Sequence, residues 1–298
     1  MIVVFGITAL TLIQGIVSDP LKICAFDVQL FGDWKAKLGP AIETIQTVIG
    51  RCDLCVLQQI RNPEVTDILL EQLNEEGDFF ALELSDRAGR TRSKEQIGFF
   101  YRKSSLAVLE KYTFDDSARD IFERDPFAVK FKVKAADNRR RRPNQRGPRS
   151  LLKEFFAIGV RTDPSDAAKE INSLAAVYDD VKNQFRTEDG VIMGDLHAAC
   201  NYFSQSDQQK SPIFTNERFK WLISNDVDTS VTEGSCAYDR IIVAGNRMKQ
   251  KSRNGAVFFF DKEFGLKPRE AKRVSDHYPI EFALDWNDEI VLRKSRTL

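Results

Sequence analysis

The chain is 298 residues long, 42% hydrophobic and 30% charged, which excludes a disordered protein and allows a substantial core in one large domain or two small ones. Its 44 Lys and Arg residues balance 44 Asp and Glu residues, so no global field draws it onto nucleic acid or membrane, and any such attraction has to come from a local patch. Only two histidines, His197 and His277, are available to chemistry that needs an imidazole.

The first element is the uncharged run 2–17, IVVFGITALTLIQGIV, followed by Ser18, Asp19 and Pro20. It is short for a membrane span, which needs ~20 residues. Residues 1–18 therefore read as a secretory signal peptide cleaved near Ser18, and the mature chain is expected to be extracellular. No later segment has the composition of a bilayer span. The alternation continues with a strand at 21–30, a helix at 41–49, a buried strand at 53–60 and a helix at 64–75, where Val65, Ile68, Leu69 and Leu73 recur at helical spacing. Residues 79–84 and 96–101 form a strand pair around a polar loop, and further strands are predicted at 106–114, 127–133 and 154–160. Ser165 or Asp166 caps a long helix running to Phe185, with Ile171, Leu174, Val177, Tyr178 and Val181 on its apolar face. Strands at 191–195, 238–244, 256–261 and 279–284 complete the pattern. Mixed strands and helices without strict βαβ alternation predict an α/β sandwich of two packed, mainly antiparallel or mixed sheets with outer helices. Nothing divides the chain, so residues 19–285 form one domain and 286–298 a charged tail.

Five cysteines are too few for a disulfide scaffold but leave room for one or two bridges. Cys24, Cys52 and Cys55 sit on strand-like runs and are expected to be buried and unpaired, which leaves Cys200 and Cys236 as the bridge. The segment 137–150, DNRRRRPNQRGPRS, carries six arginines and a single acid. It has no core-forming residues and reads as an exposed loop. Arg139, Arg140, Arg141 and Arg142 make it the strongest local positive field and a landing site for a polyanion.

Three short runs carry chemistry. MGDLHAAC (193–200) ends a buried strand with Asp195 two residues before His197; SCAYDRIIVAG (235–245) places Asp239 at a strand opening; SDHYPIEF (275–282) pairs Asp276 with His277. Carboxylates and imidazoles at strand ends suit a hydrolytic metal site, in which hard oxygens hold the ion and a histidine moves protons. Together with LKI-A-F near the start and SDA..EI..L..VY.DV, these runs resemble the deoxyribonuclease I family of the endonuclease/exonuclease/phosphatase superfamily, in the right order from Leu21 to about Leu284.

The resemblance implies a four-layer α/β sandwich, secretion, cleavage of double-stranded DNA with Mg²⁺ and Ca²⁺, and a Cys200–Cys236 disulfide; the family's second, small-loop disulfide has no counterpart in 117–127. Carried over by position, one catalytic acid–imidazole pair falls on Asp239 and His277. The other keeps its acid, Glu95, but its histidine is replaced by Arg161. The metal shell falls on Asp27, Gln59, Asp195, His197 and Asp276, with an asparagine replaced by Asp27, a glutamate by Gln59 and another asparagine by His197. Arginine stays protonated and exchanges no proton with a leaving oxygen, a loss that typically costs ~10²–10⁴-fold in rate. Gln59 offers a neutral oxygen in place of a carboxylate, which weakens Mg²⁺ binding, while His197 favours softer ions such as Zn²⁺ or Mn²⁺. If the backbone is retained, Arg161 enters the space of the lost histidine and meets Glu95 through two parallel hydrogen bonds. Arg61 matches the family's minor-groove arginine, the aromatic beside it falls on Ser93, and Arg87, Arg90 and Arg92 add charge to the same loop. The actin-binding segment of pancreatic members maps to 82–88 and differs too much for actin binding to be inferred. The leading expectation is a secreted, monomeric, catalytically impaired deoxyribonuclease-like protein that binds DNA or another polyanion. The alternatives are an active metal-dependent endonuclease that relies on His277 alone and a protein-binding module on the same fold.

Overall fold

Each residue of Leu54–Ile60 is buried, as a strand covered on both faces requires, and the same holds for Gly190–Asp195 and Asp239–Ala244. These strands lie at the centre of a computed structural model that describes residues 19–134, 151–232, 234–253 and 255–286. The expected signal peptide, the arginine-rich segment and all of the C-terminal tail except Trp286 lie outside the described residues.

The first half runs β1 (Leu21–Phe31), α1 (Asp33–Ala36), α2 (Gly39–Gly50), β2 (Leu54–Ile60), α3 (Glu64–Leu73), β3 (Phe80–Leu84), β4 (Gln96–Arg102), β5 (Leu106–Thr113) and β6 (Phe127–Val133). The second runs β7 (Glu154–Gly159), α4 (Ala167–Phe185), β8 (Gly190–Asp195), α5 (Gln205–Lys210), α6 (Pro212–Thr215), β9 (Phe219–Trp221), β10 (Asp239–Ala244), α7 (Asn246–Lys251), β11 (Ala256–Val257), α8 (Phe260–Glu263), α9 (Pro268–Val274) and β12 (Ile280–Leu284). They build two six-stranded sheets, ordered β11-β12-β1-β2-β4-β3 and β5-β6-β7-β8-β10-β9. The pairs β1–β2 and β7–β8 are parallel and the others antiparallel, so the expected mixed α/β sandwich is present.

Three apolar layers hold the four structural layers together. Between the sheets, Val56, Phe99, Phe131, Phe155, Met193 and Ile241 interdigitate. Outside the first sheet, Ile45 and Val48 of α2, Leu69 of α3 and Val274 of α9 cover Phe26 and Leu57. Outside the second, Ile171, Leu174, Tyr178 and Val181 of α4 cover Ile158 and Ile192. Trp286 is 2% exposed, so the packed region extends one residue beyond the expected domain end.

Three expectations are corrected. Residues 256–261 are not one strand: pairing stops at Val257 and α8 begins at Phe260. A strand sends successive residues to opposite faces, whereas Phe258, Phe259 and Phe260 all pack on the same cluster. Asp166 holds the cap position of α4 without a side-chain cap bond, and the Ser165 hydroxyl turns back to Asp163. Cys24 and Cys52 are not free: they form a disulfide from β1 to the turn after α2, alongside the expected Cys200–Cys236 bridge, and only Cys55 stays unpaired and buried. Placing the three residues on separate strand-like runs hid the fact that Cys52 precedes β2 and faces β1.

The Cys24–Cys52 loop of 28 residues predicts a loss of about 3–4 kcal/mol for Cys24→Ser on the chain-entropy model. Denaturant unfolding checks it, with a lower midpoint and a Cys55 thiol that reacts only after unfolding.

Candidate active site

The topology brings the chemistry to one end of both sheets. The parallel pair β1–β2 puts Asp27 beside Gln58, and the parallel pair β7–β8 ends at Asp195. The antiparallel β10 begins where β8 ends, with Asp239 opposite Asp195. The β7–β8 ladder continues past its strands through Val160 N–H to Met193 O at 3.2 Å and Thr162 N–H to Asp195 O at 3.0 Å, and Arg161 lies between those two bonds. Gly194 permits this approach: its φ is +141°, and a Cβ there would stand 2.1 Å from Val160 O.

One acid–imidazole pair is formed. His277 Nδ1 lies 2.9 Å from Asp239 Oδ2, and both groups are buried. The segment is held from behind: His277 N–H donates to Ser275 Oγ at 3.1 Å, whose hydroxyl donates to Asp27 O at 2.6 Å. Thr229 Oγ1 accepts from the N–H groups of Tyr238 (3.0 Å) and Asp239 (3.2 Å). Burial opposes the imidazolium, but Asp239 and Asp195 outweigh it and raise the His277 pKa well above its ordinary value.

The other pair is replaced by a guanidinium cluster. Arg161 Nε donates to Asp27 Oδ2 at 2.9 Å and lies 3.9 Å from Asp195 Oδ2, and Nη1 is 3.5 Å from Glu95 Oε2. The expected meeting with Glu95 is therefore present as an ion pair, but the closer, hydrogen-bonded partner is Asp27. Glu95 accepts instead from Arg61 Nη2 at 3.1 Å and forms an ion pair with Arg124 Nε at 2.7 Å. Three guanidinium groups thus surround one carboxylate that is 4% exposed. Burial pushes the Asp27 carboxyl up, and the charges of His277 and Arg161 overcome it, leaving it below the usual range.

Asp27, Asp195 and His277 present donor atoms all within 4.8 Å of one another, a spacing that a metal ion can bridge. Asp195 Oδ2 is buried without a hydrogen-bond partner, and Arg161 already points at two of these carboxylates. The other expected shell residues border this trio, each through its own contact. Gln59, at φ +62°, turns its Oε1 to accept from Leu30 N–H at 3.1 Å. His197, at φ +47°, sets Nε2 3.3 Å from Asp195 Oδ2 and Nδ1 3.2 Å from Thr162 Oγ1. Asp276 lies 3.7 Å from His277 Nε2 with its own Oδ1 buried and unbonded.

The expected DNA-contact residues divide. Arg61 bonds Ser93 Oγ, so the serine serves as its acceptor in place of a packing ring. Arg90 is engaged by Asp120 Oδ1 at 3.0 Å and Glu123 Oε2 at 3.5 Å, which removes much of its charge from the expected polyanion surface. Arg92 is exposed. Arg139, Arg140, Arg141 and Arg142 lie outside the described residues. Sequence reasoning missed Arg124, whose only local signal is a charged stretch before β6. It also missed Glu170, which is fully buried and accepts from Glu123 N–H at 3.0 Å and Asp163 N–H at 3.3 Å. Glu170 therefore ties down the two loops that present Arg124 and Arg161.

Burial pushes the Glu170 carboxyl from 4.5 up to about 7. A raised carboxyl binds its proton more tightly in the folded state. Its stabilisation is full below pH 4.5 and is lost as pH rises through about 7. Denaturant midpoints at pH 5 and pH 7.5 are expected to differ less in Glu170→Gln than in the unmodified protein.

No protein-family model matches the chain. Deoxyribonuclease gamma of Mus musculus is 34% identical over 275 residues, covering 89% of this chain and 84% of the relative. Deoxyribonuclease-1 of Canis lupus familiaris is 33% identical over 282 residues, covering 92% of this chain and 94% of the relative. The crystal structure of the endonuclease/exonuclease/phosphatase from Bacteroides vulgatus is similar with a TM-score of 0.61 and 16% identity, over 90% of this chain and 99% of that one, a likeness of fold. Identity at that level over nearly the whole length, on two sheets that bring Asp239–His277 and Asp195 to one end, means that the chain belongs to the deoxyribonuclease I family.

Proposed function

We propose that this protein is a secreted member of the family that binds DNA or a related polyanion and hydrolyses phosphodiesters very slowly or not at all. The observation that carries the reading is the Arg161 guanidinium, 2.9 Å from Asp27, 3.5 Å from Glu95 and 3.9 Å from Asp195. It occupies the space between carboxylates that a divalent cation would bridge, and it carries a permanent positive charge. The Mg²⁺ and Ca²⁺ implied by the family do not fit these residues while Arg161 stays there. A softer Zn²⁺ or Mn²⁺ held through His197 would meet the same guanidinium. What remains is binding: Arg61 and Arg92 at the rim, and Arg139, Arg140, Arg141 and Arg142 in the basic segment, attract phosphate. Secretion is supported by the N-terminal apolar run and by two disulfides among the described residues. No helix of the described residues is long and apolar enough to cross a membrane.

The second reading, an active metal-dependent endonuclease with an altered proton relay, is favoured by the Asp27–Asp195–His277 trio alone. Plasmid nicking across Mg²⁺, Ca²⁺, Mn²⁺ and Zn²⁺ separates the two. The unmodified protein is expected to cleave at least ~100-fold more slowly than a deoxyribonuclease-1, the scale of a lost general acid–base group. Arg161→His with Gln59→Glu and Asp27→Asn is expected to recover cleavage beyond Arg161→His alone. Activity of the unmodified protein near the family standard overturns the proposal.

The basic segment is tested separately. Replacing Arg139 through Arg142 with serine is expected to flatten the salt dependence of DNA or heparin binding by up to about 3–4 in the logarithmic slope, near 0.9 for each phosphate that is no longer neutralised. An unchanged slope rules the segment out.

A further inference from the structure

Trp34 is 68% exposed, the largest apolar side chain so displayed among the described residues, and makes no ring contact there. Its position is fixed by its neighbour. Lys35 is 4% exposed, and its ammonium donates to Val28 O at 2.6 Å, to Gln29 O and to Val274 O at 2.9 Å. The last bond pins α1 to the end of α9. Trp34 and Arg273 are the chain neighbours of the two residues it joins. On α9, Arg269, Lys272 and Arg273 are exposed at i, i+3 and i+4, one face of the helix, while Ala271 and Val274 are buried on the other. None of the three basic side chains has a carboxylate partner among the described residues. Lys272 and Arg273 suit the negative end of the helix dipole, but Arg269 stands in the first turn, the positive end, where a cation is disfavoured. The dipole therefore does not explain the set.

This ridge adjoins the site on both sides. Asp276 and His277 follow α9 directly in the chain. On the other flank, Asp33 Oδ1 accepts from Asn62 Nδ2 at 2.6 Å, and Asn62 is the neighbour of Arg61, whose guanidinium reaches Glu95.

We infer that the α1–α9 ridge binds a single-stranded segment of nucleic acid, with Trp34 stacking on an unpaired base and Arg269, Lys272 and Arg273 contacting the phosphates on its flank. The inference rests on the reading that the chain binds nucleic acid. An exposed indole needs a free aromatic face, which an unpaired base offers and a base inside a duplex does not. A platform of one ring beside a row of cations is the pattern by which single strands are held without sequence preference.

The test uses the full-length protein with a short oligothymidylate, a duplex of equal length and vesicles containing an anionic phospholipid. Tryptophan fluorescence and direct binding are read over a range of salt. Oligothymidylate is expected to quench the fluorescence. Trp34→Ala is expected to weaken single-strand binding about tenfold, the scale of one lost base stack, with Trp34→Phe between it and the unmodified protein. Duplex affinity is expected to stay unchanged in both variants. Arg269→Ser with Lys272→Ser and Arg273→Ser is expected to reduce the salt slope for the single strand by about 2, near 0.7 for each phosphate neutralised. Trp34→Ala that leaves strand affinity unchanged, or that lowers strand and duplex affinity alike, overturns the inference and leaves the proposed DNA binding standing. Quenching by the vesicles and not by the oligonucleotide also overturns it, in favour of a lipid surface. Failure of the unmodified protein to bind either nucleic acid overturns the proposed DNA binding and the inference with it.

Discussion

The structure around the site depends on one cation set against buried carboxylates, the Arg161 guanidinium, which reaches Asp27, Glu95 and Asp195 together. Removing one partner from a buried ion pair typically costs about 3–5 kcal/mol, because the other is left charged and dry. Here three carboxylates share that dependence. A divalent ion placed about 4 Å from the same guanidinium would meet roughly 8 kcal/mol of repulsion at an effective dielectric of 20, twice the value for two unit charges. That is on the order of the whole binding free energy of a micromolar site. An arginine fixed at this position and a metal bridging the same oxygens are therefore alternatives, and the hydrogen bond to Asp27 favours the arginine.

The backbone around the site is strained at several positions. Of the non-glycine residues with positive φ, Gln29, Leu30, Gln59, His197 and Cys200 all flank this end of the sheets. Each such conformation costs of the order of 1–3 kcal/mol and persists only where the surroundings enforce it. The Cys200–Cys236 bridge and the Thr229 hydroxyl enforce it on one side, and Lys35 and the Ser275 hydroxyl on the other. Backbone strain gathered at one end of the sheets fits a surface shaped for a ligand, which is the proposed role.

The strands were legible because apolar runs in the middle of a two-sheet sandwich are buried on both faces, so composition alone marks β2, β8 and β10. Helix α4 was legible from its one-sided spacing. The short helices α5 to α9 were not, since four to seven residues carry too little periodicity to stand out from loop, and 256–261 was misread because aromatic content mimics a strand. At the site, Asp239–His277 and the replacement by Arg161 were readable because motif order survives substitution. Arg124 was not readable, because its role arises where the 120s loop meets β4 in space. The pairing of Cys24 with Cys52 was missed for a related reason: both lie in runs that look like separate strands, and only the packing of α2 on β1 brings the sulfurs together.

Charge placement links these observations. The chain is neutral overall, and its charges near the site differ in depth. Asp27, Asp195 and Asp239 are buried, while the bases Arg92, Arg269, Lys272 and Arg273 are exposed. An approaching phosphate therefore meets these rim cations, together with the exposed Asp33 and Glu270, at short range and the buried carboxylates only through protein. In a metal-dependent site the inner acids repel phosphate until a divalent ion cancels them. Here Arg161 cancels part of that charge permanently, and Asp239 and Asp195 favour the charged form of the His277 imidazole, which adds to it. On the proposed reading, the side chain that replaces a proton carrier also lowers the electrostatic obstacle to holding a polyanion without metal. Loss of turnover and retention of binding are, on this reading, two consequences of one side chain.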